Sequence, residues 1–187
     1  AVGIRSGGEG FVSFLLCGLA CWKWFASTLN QSAACVVAHR GLIQQVYIPK
    51  VILPLIPVVV NLVKFTVILI LLLVFLWVMG FSPSLNWLYL LPVIGVELLF
   101  ILGCSLLVAA IVPFVMDLRV LITNGLTMMM FMSGIFFNVQ DFPDDVRDYF
   151  YLNPMVSLIE AFRVVLLEGG AQRKPMGQQT IYISRQS

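Results

Sequence analysis

Charge is scarce in this sequence. Only 11% of its 187 residues are Asp, Glu, Lys or Arg, where a soluble domain carries roughly 25%. With 60% hydrophobic residues and a mean hydropathy of +1.00, a soluble fold is excluded. Histidine is almost missing: His39 stands alone, so no Ser/His/Asp or Cys/His set can be assembled. No G-x-x-x-x-G-K-[ST] phosphate loop occurs, and the acidic cluster at Asp141, Asp144, Asp145 and Asp148 lacks the D-x-[DN]-x-[DN]-G order of a calcium loop. There is no C-x-x-C pair among Cys17, Cys21, Cys35 and Cys104, which sit in apolar surroundings and read as small residues packing helices together. A formal charge of +2 is too small to draw nucleic acid or to make a polybasic surface. Neither an enzyme active site nor a resident cofactor or metal is expected in this chain.

What the sequence has is apolar runs long enough to cross a bilayer, at about 20 residues per helix. The reading is an all-α, polytopic helical membrane protein, with 1–187 as a single transmembrane domain and four spans near 11–38, 53–80, 88–116 and 119–137. The first is interrupted by Lys23, between Trp22 and Trp24, and by Asn30-Gln31-Ser32. The second carries Pro54 and Pro57, which predict a kinked or interfacial start. Ser82 to Trp87 makes a polar turn that joins spans two and three into a hairpin, and Met116-Asp117-Leu118-Arg119 makes the next. Between the first two spans, 39–50 is polar and basic, with Leu42, Ile43 and Val46 at helical spacing. From 138 to 170 two short helices are expected. Asp141 is read as an N-cap, and Asn153-Pro154 opens an amphipathic segment with Glu160 and Arg163 at i,i+3 on its polar face.

Basic residues in short loops mark the cytoplasmic side. Arg40, Lys50 and Arg119 place the first and third connections there, and the acidic 138–170 segment outside. That leaves Ala1 outside with no initiator Met, and together with Thr180-Ile181-Tyr182-Ile183 turning apolar at the other end it sets the expectation of a fragment.

Two charges fall inside the spans by this count, Lys64 and Glu97. Counted from Gly80, Lys64 lies ~24 Å below the outer edge of a ~30 Å core, where its stem can reach the inner interface. Glu97 lies ~14 Å deep, near the midplane, and is expected to face the bundle interior or a partner copy. Pairing with Lys64 and a protonated carboxyl in an apolar setting both fit that position.

Gly18-Leu19 with Trp22 and Phe25, then Gly41-Leu42-Ile43 and Tyr47-Ile48-Pro49-Lys50 before a span, then Asn153-Pro154 with Ile159-Glu160-Ala161-Phe162-Arg163, follow one another in an order that resembles the type-2 ABC exporter permeases, in particular those that export lipid-linked O-antigen, capsule or teichoic-acid chains. The resemblance covers Phe11 to Gly170. It implies a six-span domain whose first and last spans lie outside this chain, in the cytoplasmic (inner) membrane of a bacterium. It further implies that 39–50 is the coupling loop on a separate nucleotide-binding ATPase, which holds the ATP and Mg. Arg40, Leu42, Ile43, Tyr47, Pro49 and Lys50 would make the contact there, with Asp117 and Arg119 at the third connection. Family members commonly have Arg-Asp at that turn, and here Arg119 follows Asp117 instead.

The same resemblance makes 138–170 an outer re-entrant gate, with Asn153, Pro154, Glu160 and Arg163 in it, and pairs two copies around a pathway for a lipid-linked glycan among membrane lipids. Glu97, Trp22, Trp24 and Phe131 are the pathway candidates; Trp87 and Tyr89 share with these aromatics the alternatives of sugar stacking, interfacial belts and helix packing. Drug and lipid exporters share the architecture, and an ion-coupled secondary transporter using Glu97 is the alternative from another class.

Overall fold

The computed structural model describes residues 8–38, 52–78, 85–115, 117–137 and 149–168, and the regular structure among these residues is entirely helical. Five α-helices follow in chain order: α1 Gly8–Ala38, α2 Ile52–Val78, α3 Leu90–Ile111, α4 Leu118–Met132 and α5 Pro154–Arg163. A 3-10 turn, Leu85–Tyr89, leads into α3, and a π-helical turn, Val164–Glu168, extends α5. Helices are what a chain this apolar can form in lipid, because each backbone N–H and C=O is satisfied within the segment. Phe11–Cys35, Ile52–Val78 and Trp87–Ile111 are long and apolar enough to cross a membrane.

Two helices stop earlier than their apolar runs. α3 ends at Ile111 because Pro113 has no N–H to give the preceding turn. α4 ends at Met132 rather than at 137: Gly134, with φ 66°, takes the left-handed conformation two residues on, and only glycine does so without strain. Its 15 residues extend ~22 Å, short of a ~30 Å hydrocarbon core.

The directions of the helices can be read from their contacts. Along α1, Trp24, Gln31 and Cys35 meet Phe65, Asn61 and Leu53 of α2, so one numbering rises as the other falls and the pair is antiparallel. Cys21 and Ser32 meet Glu97 and Ser105 of α3 in rising order, so α1 and α3 are parallel. α4 runs back, with Thr123 beside Asn30. This alternation is that of successive spans, and it leaves α1 at the centre, packed on α2, α3, α4 and α5.

Aromatic contacts join the helices within a mostly aliphatic core. Trp24 stacks on Phe65 with centroids 4.2 Å apart, Phe65 meets Phe162 of α5 at 6.1 Å, and Phe25 stacks on Phe100 of α3 at 5.6 Å. Outside, α2 shows Val59, Val63, Val67, Ile70, Leu71 and Val74 to its surroundings, the surface expected of a helix solvated by lipid. Because Phe65 joins three helices, Phe65→Ala is expected to cost about 3–5 kcal/mol and Phe65→Leu distinctly less. Unfolding in mixed dodecylmaltoside and SDS micelles, followed by far-UV circular dichroism, measures both.

Candidate functional site

The face of α1 that meets α2 and α3 carries small polar residues rather than aliphatic ones. Cys17, Cys21, Thr28 and Ser32 are buried along it at spacings of four, seven and four, which keeps them on one side of a helix. Two contact α3: the Cys21 thiol donates to Glu97 Oε1 at 3.0 Å, and the Ser32 and Ser105 hydroxyls lie 2.7 Å apart. Thr28 turns its hydroxyl back to the Trp24 carbonyl at 2.8 Å.

Toward the C-terminal end of α1, Asn61 Nδ2 donates to Gln31 Oε1 at 3.0 Å and to the Pro57 carbonyl at 2.8 Å. Pro57 cannot donate to the Leu53 carbonyl one turn back, and the Cys35 thiol supplies that bond at 3.6 Å. Ser105 also reaches the Pro54 carbonyl at 3.4 Å. Pro57 thus opens an acceptor that ties α2 to α1, and Ser105 adds a bond from α3 to the Pro54 carbonyl.

By the N-terminal end of α1, α5 lies across the end of α4 and is held at both of its own ends. Asn153 is its N-cap, accepting from the Met155 N–H at 3.1 Å, with Pro154 at the first helical position where its missing N–H costs nothing. Asn153 Nδ2 donates to Ser133 Oγ at 3.2 Å, and Ser133 Oγ donates to the Met129 carbonyl at 2.6 Å. At the far end Arg163, only 6% exposed, sends its three nitrogens to the carbonyls of Phe14, Gly134 and Ile135 at 3.2, 3.0 and 3.0 Å. Its guanidinium stands 3.5 Å from the centroid of the Phe14 ring. Gly18 makes room for it: a Cβ there would come within 2.5 Å of Nη2. Burial draws the Arg163 pKa down to about 10, which leaves it a cation at neutral pH.

Several expectations are corrected by this packing. Arg163 is not on the polar face of its helix with Glu160; it points inward, and Glu160 instead accepts from the Tyr151 hydroxyl at 2.7 Å. The partner of Glu97 is Cys21, not Lys64. Glu97 faces the bundle interior at 0% exposure, and its Oε2 has no partner among the described residues. Cys21 is therefore more than a packing residue. Lys64 precedes Phe65, which is level with Trp24 halfway along α1, so it lies ~18 Å from the start of α2 rather than close to the inner rim.

Of the pathway candidates, Trp22 and Trp24 are buried within the bundle at 3% exposure each, while Phe131 is exposed and stacks on Phe136 at 5.8 Å. Asp117, just before α4, and Arg119, in its first turn, are exposed, and the Asp117 carbonyl accepts from Val120 and Leu121. Arg40, Leu42, Ile43, Tyr47, Pro49 and Lys50 lie outside the described residues, as does the Asp141 cap. One residue was missed: Lys23 is the middle residue of the Phe11–Cys35 span and is exposed. Counting twelve residues to each end would have found it.

The described residues thus form a helical bundle with a polar seam inside and an apolar skin. The sequence profile described as ABC-2 type transporter matches residues 5–167. The chain belongs to that family, and three of its described helices are long and apolar enough to cross a membrane. It is 28% identical over 160 residues to the O-antigen export system permease protein RfbA of Klebsiella pneumoniae, covering 85% of this chain and 62% of that one. The protein of the same name from Myxococcus xanthus is 29% identical over 160 residues, covering 84% and 62%. The chain thus spans less than two thirds of the length of these relatives.

Arg163→Met should abandon the Gly134 and Ile135 carbonyls, at ~1–3 kcal/mol each. Arg163→Lys should recover only part of that, because an ammonium lacks the planar fork that meets three acceptors at once. The same micellar unfolding series, with Gly18→Val as a third variant that leaves the arginine in place but fills its seat, is expected to rank Met and Val below Lys and Lys below the parent.

Proposed function

We propose that this chain is the pathway-forming part of the permease of an ATP-driven exporter, and that its substrate is a lipid-linked polysaccharide of the O-antigen class. The carrying observation is that the relatives it matches over 84–85% of its length are both named as O-antigen export permeases. A separate ATPase, holding ATP and Mg, closes on the 39–50 connection, and two permeases pair around the pathway.

The packing supports a mechanical account of coupling. The 39–50 connection joins the cytoplasmic ends of α1 and α2, and those ends are bonded to each other through Gln31, Asn61, Cys35 and Leu53. A displacement of the connection therefore moves the two helices together. α1 continues through the bundle to Phe14, where Arg163 bonds it to α5 and to the end of α4. Because α4 is short, α5 sits below the level that a full span would reach, as a re-entrant gate would. Work done on the cytoplasmic connection is delivered to the gate along one rigid helix. For ATP to drive this, the ATPase contact must differ in free energy between its ATP-bound and free states.

The test is co-purification of the full-length protein from its native membrane in detergent. A nucleotide-binding subunit should accompany it, and Arg40→Glu, Leu42→Asp or Tyr47→Ala should weaken that association about tenfold, ~1.4 kcal/mol, without altering the thermal unfolding of the permease. An intact, dimeric permease with no ATPase bound would overturn the proposal.

A further inference from the structure

We infer that Lys23 and Lys64 together form a phosphate-binding site on the outer face of the α1–α2 pair, and that its ligand is the phosphate linkage joining the exported glycan to its lipid. This rests on the exporter reading given above, and it goes further by naming residues that meet the substrate.

The geometry follows from one aromatic contact. Trp24 of α1 and Phe65 of α2 stack face to face, 4.2 Å apart with planes 13° from parallel, across an antiparallel pair. In such a pair, the residues that precede two facing positions leave the helices on the same side, because reversing the chain direction also reverses the sense of rotation. Those residues are Lys23 and Lys64. Both are exposed, and both are level with the stack.

Among the described residues neither lysine has an ion-pair partner. Glu97 is the acid at this level, but it is turned to the opposite side of α1, where Cys21 meets it. Cys21 and Lys23 are two residues apart, ~200° around the helix. Lys23 is also ~18 Å from each end of its span, too far for the ammonium to escape to an interface. A charge there exposed to hydrocarbon costs at least about 2.5–3.5 kcal/mol. Two together call for an anion and for water, and neither is what a lipid-facing surface supplies.

The surface beside Lys23 suits a polar chain rather than acyl tails. Ser27 and Asn30 share its side of α1, within ~60° of it around the axis. Asn30 Oδ1 accepts from the Thr123 hydroxyl of α4 at 2.9 Å, and Arg119, Thr123 and Thr127 follow at four-residue spacing along α4, all exposed. This row of hydroxyls and amides begins in the first turn of α4 and climbs to within ~5 Å of the level of Lys23. Level with Lys23 stands the exposed Phe131, stacked on Phe136. Cations and aromatic rings at mid-length, with hydroxyl-binding groups below, match a molecule with a phosphate set between a polar and an apolar part.

The experiment uses the full-length permease with its ATPase in nanodiscs of neutral phosphatidylcholine, with farnesyl diphosphate as probe and native mass spectrometry or tryptophan quenching as readout. Lys23→Gln and Lys64→Gln are each expected to raise the apparent Kd about tenfold, and the double variant more, while Lys23→Arg stays near the parent. Farnesol, phosphatidylglycerol and inorganic phosphate are the comparison ligands and should bind at least tenfold more weakly. Phosphatidylglycerol binding as tightly as the diphosphate would assign the lysines to ordinary headgroups and overturn the inference. So would wild-type affinity in the double Gln variant, or loss of the dimer in that variant with binding intact. The ATPase pull-down is scored on the same preparations, so an unaffected ATPase with unaffected binding sinks this inference alone. Loss of the ATPase from the parent protein sinks the exporter reading.

Discussion

A carbonyl that loses its helical donor inside a bilayer has no water to turn to, and the architecture of this bundle follows from how each such carbonyl is answered. Pro57 frees the Leu53 carbonyl, and the Cys35 thiol of α1 fills the position. Gly134 ends α4 early, and the carbonyls of Gly134 and Ile135 receive two nitrogens of Arg163 from α5. In both cases the donor comes from a different helix. Each of these two interruptions therefore becomes a joint between helices. An uninterrupted set of apolar helices would pack by van der Waals contact alone, with little to fix register.

The joints converge on α1. Its inner end is bonded to α2, its middle to α3 through Cys21 and Ser32, and its outer end to α5 through the Phe14 carbonyl. Arg163 is well suited to the outermost joint because the guanidinium serves three acceptors in one plane while its face lies on the Phe14 ring. The charge is balanced by carbonyl dipoles rather than by a carboxylate. That makes the joint directional: a small rotation of α5 would break several bonds at once.

Composition and hydropathy were enough to read the helical class, the hairpin of α2 and α3 and the Asn153-Pro154 helix start, because these depend on local chemistry: apolar length, a polar turn, an N-cap. The length of α4 was not legible in the same way, since its apolar run continues to Phe137 and only the left-handed backbone at Gly134 stops the helix. The inward turn of Arg163 was hidden for a related reason. An i,i+3 acid–base pair on an amphipathic helix reads as a solvated face unless the acceptors that draw the base inward, from residues 28, 29 and 149 positions away, are known. Cys21 resembled a packing residue because its partner Glu97 is 76 positions on. Lys23 was legible as an interruption of the first apolar run, and its place at the middle of that span follows from counting to either end.

The two signs of charge at mid-height are sorted by side, and that sorting bears on mechanism. Glu97 is enclosed between α1 and α3 with a thiol as its neighbour, which suits a static joint between two parallel helices. The lysines stand on the outside, beside hydroxyls and amides, where a passing ligand can reach them. If transport used Glu97 as an exchanging group, each cycle would have to open the most tightly closed part of the bundle and separate α1 from α3. If it uses the outer lysines, the bundle stays intact while the surface and the gate at Arg163 change partners. The second course disrupts fewer buried contacts, and the polar seam then serves to keep α1 rigid enough to carry motion from the cytoplasmic connection to the gate.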